Sequence, residues 1–411
     1  MSTFSERILA IADSNRQKLQ DFYQYFHRHP ELSMKEYQTS DHIAAILMEL
    51  GIELIETGLD TGVAGILRGG QDGPCIALRA DIDALPIQEQ SSCPFPSENE
   101  GVMHACGHDT HITSLLGAAL ILSEMRDDIR GTVKFIFQPA EEKNLGATAM
   151  IRSGVLEDPR VEACFSLHGT AEIPTGSVAV IPGPIMAGLN TIDIEITGKG
   201  GHGGIPHRST DPVVAAAAVI QSLQTIVSRN VAPTDSAVVS ICSVHTSNGI
   251  ISNVIPDNVH MKGTVRFYSE EDKAMINRRI LEIVEGIASA YNCTASFEIS
   301  DDLPVTTNAP FHGQRDLSAI AYRTVADIGA AAVSPAPSGG GDDFSYYSIG
   351  IEGKAGVPSF FYWLGVRNED LDCIYSWHSP KFRTDPAALP IGAALLAMSA
   401  INAADDILSD P

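Results

Sequence analysis

The chain has 411 residues, of which 44% are hydrophobic and 19% charged, as in an ordinary globular protein. This length exceeds what one core usually fills, so we expect two domains, or one domain that carries a large insertion. The 51 acidic and 27 basic residues give a net charge of −24, which repels nucleic-acid phosphates and anionic membranes and argues against both as partners.

Cysteine usage and the N-terminal sequence indicate a cytoplasmic protein. The first 20 residues have mixed charge and helical periodicity but no continuous apolar stretch, so we expect no signal peptide. Apolar runs such as 43–50 are shorter than the roughly 18 residues that a membrane span needs. The cysteines are odd in number and irregularly spaced, which favours a reducing compartment over a disulfide framework. They are Cys75, Cys93, Cys106, Cys164, Cys242, Cys293 and Cys373.

The first half of the chain alternates helices and strands in the manner of an α/β layer. The predicted helices cover the residues up to about 26, 39–50 and 112–128. The predicted strands cover 63–69, 75–85, 131–140 and 163–168. The last two strands end on Glu141-Glu142 and on His168. Open α/β sheets place their ligand sites at such carboxyl ends, so we expect a site there.

The character of the sequence changes near 182–188, where we expect a hinge. From there the order is strand, helix (211–227), strand, strand (258–267), helix (270–291), strand, which predicts a compact α+β unit with two helices on one antiparallel sheet. We place this insertion at 187–301, between the two parts of a first domain at 1–186 and 302–411. Its edge strands could pair with a second copy of the chain.

One short stretch carries the chemistry, because Cys106 and His108 stand one residue apart around Gly107. Gly107 makes an irregular turn easy, so both side chains can face one cavity. Thiolate, imidazole and carboxylate groups hold borderline transition metals at neutral pH, and a spare carboxylate can act on an activated water. With Glu141-Glu142, and with His168 and His378 further on, this pattern indicates a metal-dependent hydrolase.

Each element of this pattern also has a plain structural alternative. The Cys106 and His108 segment could be a buried cysteine beside a helix-capping His-Asp pair. The Glu141-Glu142 doublet could lie in a solvated loop, although two adjacent carboxylates at an apolar strand end are costly without a cation. His168 could be a core histidine with its hydrogen bonds satisfied, and His378 a surface turn residue.

Two further motifs are open in the same way. Asp81 and Asp83 in RADIDALP share one side of a strand end and could orient a ligand imidazole, or form a local salt bridge with Arg79. His202 in GKGGHGGIPH is surrounded by glycines and could donate a hydrogen bond to developing negative charge. Alone, that segment could be no more than a hairpin loop.

Together these segments resemble peptidase family M20, specifically its branch of aminoacylases, hippurate hydrolases and auxin-conjugate (IAA-amino acid) hydrolases. The resemblance implies an α/β/α zinc-peptidase-like catalytic domain with an inserted ferredoxin-like α+β domain that acts as lid and dimerisation domain. The matching segments span nearly the whole chain and are RADIDALP, MHACGHDTH, FQPAEE, SLHG, GKGGHGGIPH, ISNVIPD to GTVR, DDFSYY and WHSPKF.

The resemblance also implies roles for individual residues. Two divalent ions (Zn, Mn, Co or Ni) would be ligated by Cys106, His108, Glu142, His168 and His378, with Cys106 as the bridging ligand. Glu141 would be the general base and acid that works on the metal-activated water. Asp83 would hold a ligand in place from behind.

In the family's dimers the lid histidine, here His202, reaches the partner's active site and stabilises the oxyanion. Asn253 and Arg266 would bind the substrate carboxylate. The substrate would be a small N-acyl amino acid with an N-acetyl, benzoyl or indoleacetyl group. The family loop Gly-Ser-Glu-Asp-Phe departs here to Gly-Gly-Asp-Asp-Phe, so the shorter Asp342 leaves the pocket shape open.

Three alternatives to an N-acyl amino acid hydrolase remain. One is an N-acetyldiaminopimelate deacetylase or dipeptidase of the same family. Another is a thiol hydrolase with Cys106 as nucleophile and a nearby histidine as base. The last is a non-catalytic metal-binding relative.

Overall fold

The computed structural model describes residues 3–311 and 313–409, and the chain forms two compact units. Unit 1 comprises Met1–Ile185, Thr307–Ala336 and Asp342–Pro411. Unit 2 comprises Met186–Thr306 and Pro337–Gly341. The main segment of unit 2 begins one residue before the insertion expected from the sequence and ends five residues after it (186–306 against 187–301).

Unit 1 is built on a mixed sheet of eight strands. In spatial order they are β1 (Glu53–Ile55), β2 (Val63–Arg68), β4 (Arg130–Gln138), β3 (Gln71–Asp81), β5 (Val161–Pro174), β18 (Ser359–Arg367), β6 (Ser177–Ala179) and β15 (Ala331–Val333). The central strands β4, β3, β5 and β18 run parallel to one another. They are rich in apolar residues because both faces of this region of the sheet are covered.

The helices of unit 1 supply much of its core. They are α1 (Phe4–Ser14), α2 (Arg16–Arg28), α3 (Tyr37–Glu49), α4 (His108–Glu124), α5 (Gly146–Arg152), α8 (Ser318–Asp327), α9 (Ser345–Ile349) and α10 (Leu389–Ser409). Helices α4 and α10 pack against each other and against β3 and β5. Both are apolar on nearly every face because neighbours surround them.

Helix α10, with the turn before it, is long and apolar enough to cross a membrane by length and composition alone. The candidate segment is Pro386–Ser409, and 89% of its most apolar stretch is buried inside the protein. We expected no such segment from the sequence. Burial against α4 and the sheet accounts for its apolarity as that of a core helix.

Unit 2 has a four-stranded antiparallel sheet in the order β10 (Val238–Thr246), β12 (Asn258–Phe267), β8 (Gly188–Thr197) and β13 (Thr294–Ile299). Helices α6 (Pro212–Arg229) and α7 (Glu270–Ala290) pack on it through an apolar core. This order is that of a ferredoxin-like βαββαβ unit. The remaining strands are short: β7 (Pro184–Met186), β9 (Gly201–His202), β11 (Val254–Ile255), β14 (Thr306–Thr307), β16 (Gly350–Ile351) and β17 (Lys354–Ala355).

The ends of several elements differ from the sequence prediction: β3 ends at Asp81 rather than at residue 85, and β5 continues to Pro174 rather than ending on His168. The opening helix is divided into α1 and α2 at Asn15, whose side chain donates to the Ile11 carbonyl and caps the end of α1. Helix α4 begins at His108, four residues before its apolar run. The first turn of α4 is polar, so the period of hydrophobic residues does not reveal where the helix begins. These polar side chains are nevertheless buried, because they lie at the sheet edge.

The motif residues of unit 1 lie at one level of the parallel strands, because Arg79 in β3 pairs with Ser166 in β5. Asp81 closes β3, Glu141 follows β4 by three residues, and His168 lies in β5. Because α4 also begins near this edge, the motif residues expected from the sequence converge there.

Candidate metal centre

The turn from Cys106 to His108 depends on Gly107. This glycine has a left-handed φ of +85° and stands at the N-cap of α4. A Cβ added there would also approach the Phe382 ring to 3.0 Å. Only glycine adopts this conformation without strain, so the residue fixes the turn that carries the cysteine and the histidine.

Five side chains bring their ligand atoms together in overlapping groups. The donor atoms of Cys106, His108 and His168 lie within 4.8 Å of one another, and so do those of Cys106, Glu142 and His378. Cys106 belongs to both groups, and its Sγ lies 3.4 Å from Nε2 of His168. The geometry therefore offers two adjacent cation positions that share one sulfur atom.

Two of these donor atoms are buried without a hydrogen-bond partner among the described residues. They are Nε2 of His108 and Oε1 of Glu142, which lie 3.9 Å apart. An unsatisfied buried polar atom costs about 1–3 kcal/mol, so such atoms normally have partners. A set of sulfur, imidazole nitrogen and carboxylate oxygen suits a borderline divalent metal such as zinc or cobalt. The residues present thus fit a pair of divalent cations.

Asp83 is hydrogen-bonded to three residues of this cluster. Its carboxylate accepts the backbone N–H groups of Glu141 and Glu142, both at 3.1 Å, and the Ser33 hydroxyl at 2.6 Å. Its backbone carbonyl lies 2.8 Å from Nδ1 of His108. This contact assigns the Nδ1 proton and leaves Nε2 of His108 as the donor atom. Asp83 is therefore placed to position both the carboxylate doublet and the imidazole.

Arg79 is completely buried and holds three carboxylates of the same edge. Its guanidinium lies 2.8 Å from Asp81, 3.0 Å from Asp342 and 3.1 Å from Asp343. The local salt bridge with Arg79, considered above for Asp81 and Asp83, is therefore present for Asp81. Asp342, the residue that departs from the family loop, belongs to this buried ion cluster and also accepts the Phe344 N–H at 2.8 Å.

Negative charge exceeds positive charge in this region. Six carboxyl groups, those of Asp81, Asp83, Glu141, Glu142, Asp342 and Asp343, lie near the guanidinium of Arg79 and the imidazole of His108. Burial, reinforced by Asp342 and Glu142, raises the pKa of Glu141 well above its usual value. Burial lowers the pKa of His108, but Asp81, Asp83 and Glu142 outweigh it and raise the value to about 10. Such a site favours any added cation.

The same electrostatics bear on a thiol mechanism. Burial, with Glu142 and Glu141 nearby, raises the pKa of the Cys106 thiol well above its usual value. Burial, with His111 nearby, lowers the pKa of His168 well below its usual value. A nucleophilic thiolate beside an imidazolium needs the opposite shifts. Without a cation the surroundings favour a neutral thiol beside a neutral imidazole.

His378 reaches the cluster from a loop after β18. Its backbone has a left-handed φ of +61°, its side chain is 56% exposed, and its N–H donates to the Ala105 carbonyl at 2.8 Å. Its Nε2 lies 3.5 Å from Oε1 of Glu142. The residue is therefore both the surface turn residue considered above and a neighbour of the other candidate ligands.

The candidate residues of unit 2 do not form one cluster within the chain. His202 is exposed on β9, and its Nδ1 accepts the Gly204 N–H at 2.9 Å, which leaves the proton on Nε2. Asn253 is exposed beside it, and its carbonyl accepts the Gly203 N–H. Arg266 lies near the far end of β12, eight residues beyond Asn258, or about 26 Å along a strand. Its Nε donates to the Gly339 carbonyl at 3.1 Å.

Reasoning from the sequence missed His111 as part of the site. Its Nδ1 lies 2.5 Å from Oδ1 of Asp81, and its Nε2 accepts the Gly169 N–H at 2.8 Å. The available signal was the spacing of His108 and His111, which share a helix face because they are three residues apart. The missing information was the partner Gly169, which lies 58 residues away.

Comparisons with known proteins assign the chain to one family, and the matched range includes the candidate ligands. The model of peptidase family M20/M25/M40 matches residues 77–402. An N-acetylcysteine deacetylase of Bacillus subtilis is 41% identical over 376 residues, which cover 91% of this chain and 94% of the relative. The IAA-amino acid hydrolase ILR1-like 2 of Arabidopsis thaliana is 40% identical and covers 92% of this chain and 83% of its own length.

A solved structure agrees with the fold. The crystal structure of the Bacillus subtilis YxeP protein, described as a dinuclear metal-binding peptidase from the M20 family, superimposes with a TM-score of 0.83. The two sequences are 36% identical, and the match covers 96% of this chain and 99% of the other.

Proposed function

Because the chain belongs to peptidase family M20, we propose that it hydrolyses the amide bond of small N-acyl amino acids with the help of two divalent cations. The family, the α/β fold class and the class of metal-dependent amide hydrolases, all expected from the motifs, are confirmed by the family match and the relatives. The substrate group, the residue roles and the assembly below are our proposals.

The sharing of Cys106 between two groups of donor atoms supports the proposal most strongly. Cys106, His108 and His168 would hold one ion, and Cys106, Glu142 and His378 the other. The bound ions, Zn, Mn, Co or Ni, would supply Lewis acidity that polarises the amide carbonyl and lowers the pKa of water. The thiolate favours Zn or Co over Mg.

Glu141 would be the general base. It lies in the same cluster as His108 and Glu142, and unlike Glu142 it belongs to neither group that contains Cys106. Its carboxylate would accept a proton from water during attack on the amide carbon, and would then give that proton to the departing amine nitrogen. Asp83 would keep the backbone of Glu141 in place through its hydrogen bond to the peptide N–H.

His202 of the partner subunit would stabilise the oxyanion. The Gly204 N–H bonded to Nδ1 supports this role, because the remaining Nε2–H is then a donor. Asn253 and Arg266 would bind the substrate carboxylate. Asn253 precedes β12 and Arg266 lies near its far end, which is compatible with contributions from two different copies of the chain. The active species would be a homodimer formed through unit 2, the proposed lid, in the cytoplasm.

The names of the relatives support a substrate with an acyl group on an amino acid nitrogen. One is an N-acetylcysteine deacetylase and another an IAA-amino acid hydrolase. Benzoyl derivatives belong on the same test panel. N-acetyldiaminopimelate and dipeptides test the alternatives within the family.

A single substitution tests the proposal. Glu141→Gln should retain its metal content but lose turnover by roughly 10²- to 10⁴-fold, the usual contribution of a general base. Glu124→Gln, at the exposed end of α4, is the matched control and should keep both metal and turnover. Near-normal turnover by a metal-loaded Glu141→Gln protein on the amide panel would refute the assigned role.

The two remaining alternatives are separated by other measurements. Activity lost to a chelator and restored by metal, but unaffected by alkylation of the metal-loaded enzyme, would exclude a thiol hydrolase. Absence of turnover on the whole panel by the metal-loaded protein would instead favour a non-catalytic relative. Both measurements require only purified protein.

A further inference from the structure

The placement of His378 is not explained by its own packing. Its side chain is 56% exposed, so few contacts restrict its rotamers. Its backbone φ of +61° is uncommon for a residue with a Cβ. Yet its Nε2 lies 3.5 Å from Oε1 of Glu142, as a shared cation requires. Its backbone N–H donates to the Ala105 carbonyl at 2.8 Å, and the adjacent residues of the loop must supply the rest of the support.

The adjacent residue Trp377 is anchored at two points. Its indole Nε1–H donates to the Gly169 carbonyl at 2.7 Å. Its ring stacks on Trp363 in β18, with centroids 5.0 Å apart and planes at 26°. Because Trp363 is buried in the central sheet, this stack fixes the indole against a rigid surface.

The same carbonyl also holds His168. Nδ1 of His168 donates to the Gly169 carbonyl at 2.8 Å, which leaves its Nε2 facing Sγ of Cys106. The Trp377 ring meets the His168 ring at 5.0 Å in a T-shaped arrangement. His168 and Trp377, the residue before His378, therefore share one acceptor atom.

Gly169 is also held through its own N–H, which belongs to the preceding peptide group. Its N–H donates to Nε2 of His111, whose Nδ1 lies 2.5 Å from Oδ1 of Asp81. Asp81 is in turn held by Arg79 at 2.8 Å. Gly169 is therefore held both at its N–H and at its carbonyl, so the acceptor atom has a fixed position.

From this network we propose that Trp377 is a positioning residue, which directs His378 to its cation by its indole hydrogen bond to Gly169. The inference rests on the proposed function, because it takes His378 as a ligand. Residues that orient ligands in this way change metal affinity by about 10- to 100-fold when they are replaced. The effect should fall mainly on the ion held by Cys106, Glu142 and His378.

The test compares metal retention in Trp377→Phe and in the parent protein. Phenylalanine keeps an aromatic ring for the stack and removes only the N–H and part of the ring area. We expect one of the two ions to be released at about 10- to 100-fold lower chelator concentration, while the other is retained. Tyr375→Phe, in the same loop, loses a polar atom from an aromatic ring and should release its metals as the parent does.

A second comparison separates positioning from packing. Trp377→Phe should have little further effect on metal retention in a His378→Ala background, because both changes act on the same ligand. If Trp377→Phe folds poorly, benzothienylalanine at this position keeps the size of the indole and lacks its N–H. A loss of the second ion with this residue would support the hydrogen bond itself.

The outcomes also separate the two proposals. A parent protein that holds no metal would overturn the proposed function and this inference together. A parent protein with two ions and amidase activity, whose Trp377→Phe and benzothienylalanine variants retain both ions at the same chelator concentration, would overturn this inference alone.

Discussion

Two pairs of candidate residues, one in each unit, are held in opposite ways. In unit 1, Glu141 and His108 are buried, and Asp83 bonds to both. In unit 2, His202 and Asn253 are exposed, and their recorded contacts are local backbone hydrogen bonds. Buried networks keep one geometry, whereas exposed loops tolerate several. Under the proposed function, unit 1 would contain a preformed metal site, and unit 2 would contribute residues that a partner or substrate has to fix.

Removal of the shared sulfur should have the largest effect. Cys106→Ala takes one donor from each group of ligand atoms, so we expect both ions to bind weakly. Turnover should fall by at least about 10³-fold, which corresponds to roughly 4 kcal/mol of transition-state stabilisation. Metal analysis of the dialysed protein and initial rates on the amide panel measure the two effects.

Cys164→Ala is the control for this variant. Cys164 is also a buried free cysteine of unit 1, but it lies within β5 and in none of the donor groups that include Cys106 or His108. This variant should lose some stability from the cavity it creates and should keep two ions. Equal metal loss in the two variants would mean that core packing, not ligation, explains the result for Cys106.

The histidine of unit 2 should have the next largest effect. His202→Gln should lower turnover by about 10²- to 10³-fold, as expected for a lost oxyanion donor, and should leave the metal content unchanged. This outcome would show that an exposed residue of unit 2 acts in catalysis without building the metal site. Reduced metal content in His202→Gln would instead mean that unit 2 also helps to build the metal site.

Mixed subunits test whether His202 acts across a dimer. Glu141→Gln and His202→Gln proteins are each expected to be nearly inactive. If they are mixed and allowed to exchange subunits, a mixed dimer has one complete site, so activity should return to about a quarter of the parent level. No recovery, despite exchange detected by mass, would place His202 and Glu141 in the same chain's site or exclude His202 from catalysis.

The contrast also explains what could be predicted from the sequence. Periodicity located β12 at both ends and placed α6 and α7 within a few residues, because each buries one regular apolar face. The ends of β3 and β4 indicated where Asp83 and Glu141 would meet, since parallel strands end at one edge. Such inferences use only local pattern and a general rule of sheet topology.

Other features depend on partners that the local pattern does not reveal. Trp377 bonds to Gly169, 208 residues earlier, and Arg79 to Asp342, 263 residues later. The start of α4 at His108 is polar in sequence but buried in the fold. Asn253 and Arg266 are close in sequence, yet an extended strand separates them. In each case long-range packing, not propensity, decides the position.

The smallest expected effect is on the pH dependence of stability, and it comes from His27 and its two carboxylate partners. His27 lies between two carboxylates, 2.6 Å from Asp109 at the first turn of α4 and 3.2 Å from Glu89. Burial lowers the pKa of His27, but hydrogen bonds to Asp109, Cys93 and Glu89 outweigh burial and raise it well above its usual value. Burial raises the pKa of Asp109 and of Glu89, but the His27 bonds outweigh burial and lower both.

The sign of the pH dependence follows from these shifts. The contribution of His27 is fully present below its unfolded pKa of about 6.5, and is lost as the pH rises through its higher folded value. The contributions of Asp109 and Glu89 are present above about pH 4, and are lost as the pH falls through their lower folded values. The network should therefore stabilise most between about pH 4 and 6.5.

Substitution of His27 tests whether burial alone keeps this end of the site in place. The difference in unfolding free energy between the parent and His27→Gln should shrink above pH 6.5, by up to about 1.4 kcal/mol per pH unit. Denaturant unfolding from pH 5 to pH 9 measures it, and Gln24→Ala, an uncharged change on the same helix, should show no such slope. A difference that is constant across this range would mean that His27 acts by packing. The first turn of α4 would then be fixed without the charged bond to Asp109.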